Sequence, residues 1–185
     1  MTKINATLIA LLISAPLSTT SADNLLTYGF DAESRLNWAY FSDQVMGGVS
    51  EGTVDYIDEN GSSYAHMTGR VSTENNGGFI QIRHAVAKGS VSSAAGVYAV
   101  VRGNSQKYFI HLRTSGTVLP WQYYQAGFST TGDWQTIRLP FTDFQRSGSW
   151  LRKSLTASSI RSIGILAYGR DHQAEIDIAE IGFYD

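Results

Sequence analysis

The chain has 185 residues, 14 Lys and Arg against 16 Asp and Glu, a formal net charge of −2, and no cysteine. That length suits one domain with its own core, and a mildly acidic chain without a basic stripe gives no electrostatic ground for nucleic acid or anionic lipid as a partner. The missing thiols exclude disulfides, thiolate metal sites and cysteine nucleophiles, so packing alone must hold the fold.

Lys3, the apolar run from Leu8 to Ile13, and the small residues Thr20-Ser21-Ala22 predict a signal peptide over residues 1–22, cleaved before Asp23. The run is too short for a spanning helix of about 20 residues. The expectation is a single exported domain over residues 23–185, periplasmic in a Gram-negative cell, with no direct membrane span in the mature chain.

From Leu25 onward, helical periodicity is nearly absent. Short segments rich in Val, Ile, Tyr and Phe alternate apolar with polar residues and are separated by Gly, Ser, Asn and Asp. Strands are expected at Leu25–Phe30, Trp38–Phe41, Val49–Ile57, Tyr64–Val71, Phe79–His84, Gly96–Arg102, Lys107–Arg113, Val118–Phe128, Trp134–Leu139, Ile160–Ala167 and Glu175–Tyr184. This is the pattern of an all-β sandwich of two antiparallel sheets. Gly47-Gly48 and Gly77-Gly78 read as tight joints before strands. Phe141–Ser159 reads as a long irregular connection with a short helical turn near Asp143-Phe144. In the last strand Ile176 and Ile178 are out of phase with Ile181 and Phe183, which predicts a β-bulge near Ala179-Glu180.

Several blocks carry a family resemblance: Trp38, Asp43-Gln44-Val45-Met46-Gly47-Gly48-Val49-Ser50, Gly69, Gly77-Gly78-Phe79, Arg102-Gly103, Tyr124-Gln125-Ala126 with Phe128, Trp134, Leu139-Pro140-Phe141, Phe144 and Ile163-Gly164-Ile165. In this order the chain resembles the complex I intermediate-associated protein 30 family. The Val-Met-Gly-Gly-Val-Ser block is the most specific part. The resemblance implies a galactose-binding-like jelly roll, no known catalytic activity and, for mitochondrial members, help in assembling NADH:ubiquinone oxidoreductase; no cofactor is expected. Those members work in the matrix, whereas this chain reads as exported, so fold transfers better than function.

Period-two alternation splits the middle strands by face. Val97, Ala99, Val101, Tyr108, Ile110, Leu112, Tyr124, Ala126 and Phe128 read as core. Tyr98, Arg102, Phe109, His111, Arg113, Trp121, Tyr123 and Gln125 read as one outward binding face, with Gln81 and Arg83 in matching phase. Aromatics among Arg, His and Gln suit a sugar ring, through stacking and hydrogen bonds, and equally a protein hot spot. The alternative is that the Phe141–Ser159 connection folds over this face and hides it.

The block Asp43, Met46, Gly47, Gly48, Ser50, Glu51 is the second candidate, a loop for protein contacts. Its two carboxylates lack the Asp-x-Asp spacing of a calcium loop, so Asp43 reads as a turn cap and no metal is expected. The four histidines sit in separate segments without a nucleophile elbow, and Glu175 and Asp177 read as solvent-facing, so no catalytic residue is assigned. The functional expectation is a non-catalytic binding protein, first an assembly factor with a protein partner such as a membrane complex, then, as the alternative, a carbohydrate-binding module, with a hydrolase ranked third.

Overall fold

The last strand organises the sandwich. In a computed structural model that describes residues 23–185, it is the longest of twelve, β12 (His172–Tyr184). Preceding it are β1 (Asn24–Tyr28), β2 (Trp38–Ser42), β3 (Glu51–Glu59), β4 (Ser62–Val71), β5 (Phe79–Ala85), β6 (Gly96–Gly103), β7 (Lys107–Thr114), β8 (Tyr124–Ser129), β9 (Gln135–Pro140), β10 (Gln145–Arg146) and β11 (Ile160–Tyr168). The back sheet runs β3-β4-β12-β6-β9, with β1 also paired to β12; the front sheet runs β10-β8-β7-β11-β5-β2. All pairings are antiparallel. The expected signal peptide lies outside the described residues.

The bulge falls where the alternation requires it. The β12–β6 register shifts between Ile178 and Glu180, so one extra residue, Ala179, resets the phase. Ile176, Ile178, Ile181 and Phe183 are consequently all buried against the residues read as core from β6, β7 and β8.

Charge is divided between the layers. The front strands contain Arg83, Lys107, Arg113, Arg146 and Arg161 but no Asp or Glu. The back strands hold four carboxylates on β3 and three on β12, among them Glu175 and Asp177.

Two expectations about this framework are corrected. Consecutive strands β6 and β7 do not pair: the chain crosses from back sheet to front sheet between them. The Gly103–Gln106 turn is tied down by Gly103 N–H donating to Thr131 O and Thr130 N–H donating to Gln106 O, at 2.7 and 3.1 Å. Tyr98 and Arg102 therefore point away from the face that carries Phe109 and His111. Alternation assigns a side to each residue within a strand but is silent on which sheet the strand joins.

The second correction concerns Val118–Tyr123, which is a loop and not the start of β8. Gln122 Oε1 accepts from the N–H groups of Val118 and Leu119, closing a turn around Pro120. The Phe141–Ser159 connection forms a 3-10 turn at Phe141–Asp143, adds β10 to the edge of β8, and buries Leu151 in the core while Trp150 stays 94% exposed. It borders the front sheet along the β8 edge.

Candidate functional site

The two double-glycine joints meet at one carboxylate. Asp43 follows β2 and is fully buried. One of its oxygens accepts from Ser50 N–H at 2.9 Å; the other accepts from Ser50 Oγ–H at 2.5 Å and from the N–H groups of Gly78 and Phe79. Burial opposes its charge, but these hydrogen bonds prevail and hold the carboxyl below its ordinary value. A Cβ on Gly48 would come within 2.7 Å of Asp43 Cβ, and one on Gly77 within 2.8 Å of Asp43 Cγ. Asp43 thus ties two loops that lie some thirty-five residues apart, instead of capping its own turn as the sequence suggested. On the loop so pinned, Val45 and Met46 stand 73% and 58% exposed, with Gly47 left-handed at φ 90°, and Glu51 begins β3 at the surface.

The outward face of the front sheet is built in rows. One cross-strand row reads Gln125, His111, Gly164, Arg83, Ala39; the next reads Gly127, Phe109, Leu166, Gln81, Phe41. Gly164 is central for a steric reason: a Cβ there would overlap the Gln81 amide that lies across it. The middle of the face is therefore low, with rings on either side.

Tyr123 stacks on His111 with centroids 3.9 Å apart and planes 13° apart, while Tyr168 meets the imidazole edge-on at 5.6 Å and shares a 3.0 Å hydroxyl contact with Tyr123. Phe109 packs edge-on against Tyr168, and Phe41 against Phe79. Under this cover burial drives the His111 pKa down to about 4, despite a 3.0 Å contact to Gln125 Oε1 that favours the protonated ring. The imidazole is neutral near pH 7 and donates Nε2–H to Gln125. Burial, the hydroxyl pairing and their mutual repulsion raise the Tyr123 phenol, so it too stays neutral.

Two polar side chains on this face are unspent. The Gln81 amide makes no hydrogen bond among the described residues although the residue is only 6% exposed. Arg83 lies 4.6 Å over the Phe41 ring and belongs to none of the ion pairs among the described residues. Arg113, by contrast, is committed: its guanidinium donates to the carbonyls of Thr117, Leu119 and Pro120. It holds the loop on which Trp121 stands 62% exposed at the rim of the face.

Tyr98 and Arg102 are spent on the back sheet. Tyr98 is buried against Thr27, its hydroxyl bonded to the Thr27 hydroxyl. Arg102 donates Nε–H to Asp177 at 2.6 Å beneath Trp134, and His66 holds the other Asp177 oxygen at 2.5 Å. Asp177, read as solvent-facing, is 9% exposed because of these partners. The front face thus unites Phe109, His111, Tyr123 and Gln125 with Trp121 at its rim, and leaves Tyr98 and Arg102 out. Phe41, Phe79, Gly164 and Tyr168 were missed; applying the same period-two rule to β2, β5 and β11 would have found them.

The described fold and this motif network coincide with a known family. Residues 28–178 match the family described as complex I intermediate-associated protein 30. The chain belongs to that family. A search of curated proteins returned no match. Among solved structures, this member of the complex I intermediate-associated protein 30 family is similar to a family 11 carbohydrate-binding module from Clostridium thermocellum in complex with a β-1,3-1,4-mixed-linked tetrasaccharide. The identity is 15%, the TM-score 0.68, and 85% of this chain and 94% of that one are covered. The family 11 module of the C. thermocellum cellulosomal cellulase Lic26A-Cel5E aligns at 16% identity and TM-score 0.66, covering 90% and 95%. TmCBM61, in complex with β-1,4-galactotriose, aligns at 12% and 0.50, covering 89% and 100%. At these identities the likeness is one of fold: a jelly-roll sandwich.

Proposed function

We propose that this protein is a non-catalytic, exported glycan-binding module that lays an extended sugar chain across the front sheet. The observation that carries the reading is the joint presence, on one face, of the Tyr123–His111 stack with Tyr168 and Phe109, and of the unspent Gln81 and Arg83 side chains. A sugar ring offers a C–H face to an aromatic ring and hydroxyls to amide and guanidinium donors, so both kinds of group are needed together. Jelly-roll modules of the same architecture in complex with oligosaccharides support it. The test is retardation of the purified protein in gels containing soluble polysaccharides. Wild type is slowed by at least one, and Tyr123→Ala migrates freely with an unchanged circular dichroism spectrum; equal retardation of the two proteins overturns the site.

A second reading follows from the motif loop. Val45 and Met46 are apolar, exposed and held on a loop that Asp43 makes rigid, which supports a protein contact of the kind the family description names. Crosslinking from position 46 in cells tests it: a membrane-complex subunit is the expected product, and recovery of the protein alone overturns it.

A further inference from the structure

The division of charge between the two sheets bears on which glycan the front face takes, an inference that rests on the glycan reading above. We infer that the face selects an anionic sugar chain, one bearing carboxylate or sulfate groups, with Arg83 as the residue that reads the charge.

Three observations converge. The front strands contain no Asp or Glu at all, while seven carboxylates lie on β3 and β12 of the back sheet. Over a chain with net charge −2, this face is a local exception, so an attraction to anions would arise from the site and not from the protein as a whole. Next, Arg83 occupies the central row beside Gly164, half-buried, with the Phe41 ring beneath it and no carboxylate partner among the described residues. A desolvated guanidinium without an anion is costly, and this one also feels Arg113, whose own donors are occupied by loop carbonyls. Finally, Arg83 and Gln81 are alternate residues of β5 on the same outward face, and the Gln81 amide lies across Gly164, the residue paired with Arg83. Guanidinium pairs carboxylate or sulfate oxygens two at a time, and the adjacent amide can take a neighbouring hydroxyl. His111, the other basic group of the row, is kept neutral by burial under Tyr123, so Arg83 supplies the charge at the centre and Lys107, over Phe109, supplies it at the end of β7.

The experiment is calorimetric titration of the purified protein with galacturonic acid oligomers, a sulfated oligosaccharide of equal length, and a neutral mixed-linkage β-glucan oligosaccharide, at low and high salt. The expected result is affinity at least tenfold higher for an anionic chain than for the neutral one at low salt, shrinking as salt screens the charge. Arg83→Gln should remove most of that preference, and Arg83→Lys, which keeps the charge but not the fork, should restore part of it for either anion. The uronate and sulfate arms identify which anion is read. Neutral chains bound as tightly as anionic ones would overturn the charge inference while leaving the glycan reading intact. No binding to any of the three would overturn both. An anionic preference unchanged in a folded Arg83→Gln variant would overturn the assignment to Arg83.

Discussion

Tyr123 lies flat on His111, their ring centroids 3.9 Å apart, and in doing so shields the imidazole of the central row from water. Burial of that ring is what pulls its pKa down to about 4. Removing the cover with Tyr123→Ala should let the His111 pKa climb toward the ordinary value of about 6.5, read from an NMR titration of the imidazole C–H resonances. An unmoved value would mean that the sheet, and not Tyr123, desolvates the ring.

The same burial makes stability depend on pH. Between about pH 6.5 and about 4 the unfolded chain protonates His111 while the folded one does not. Stability is therefore full above that window and falls as pH drops through it, by up to about 3 kcal/mol. His84 and His172, also lowered by burial, act in the same sense. His111→Gln should flatten the decline without abolishing it. Asp43, whose carboxyl is lowered, adds a second loss as pH falls below the unfolded carboxyl value of about 3.9 and through its own lower one. Urea midpoints measured from pH 8 to 3 check both windows.

Asp43→Asn places an amide NH₂ among donors that now meet a carboxylate: two from Ser50 and those of Gly78 and Phe79. A cost of about 2–4 kcal/mol is expected from urea unfolding. Gly77→Ala forces a methyl against the same carboxylate and should cost about 1–3 kcal/mol. Because both changes act on one contact, their effects should not add in the double variant.

Arg102→Ala breaks the pair with Asp177 on the back sheet and uncovers Trp134. At about one-third exposure the guanidinium is screened, so a loss of about 1 kcal/mol is expected. Glycan retardation should be unchanged, since this residue lies on the opposite surface from His111; weakened binding would point to the back sheet as the site.

Much of the strand framework was legible because one rule governs it. With the two sheets packed face to face, period two alone identifies the buried side of each strand, and the phase break at Ala179 is visible in the sequence as the pair Ile176 and Ile178 out of step with the pair Ile181 and Phe183. The binding face was only partly legible. Tyr98 and Arg102 satisfy the same alternation as Phe109 and His111, yet the crossover after Gly103 sends them to the other side. Trp121 alternates like a strand residue, but Pro120 and the Gln122 side chain turn its segment into a loop. The role of Asp43 depends on contacts with Gly78 and Phe79, which no local spacing reveals.

Chemical-shift mapping tests the central claim most directly. The ¹⁵N-labelled protein is titrated with the polysaccharide fragment that retards it most strongly, and backbone and side-chain amide signals are followed. A front-face glycan site predicts saturable shifts at Gln81, Arg83, Phe109, His111, Tyr123 and Gly164, with the back sheet and the Asp43 loop undisturbed. Shifts confined to the back sheet or to the Val45–Met46 loop, or none up to the solubility limit of the fragment, would contradict it.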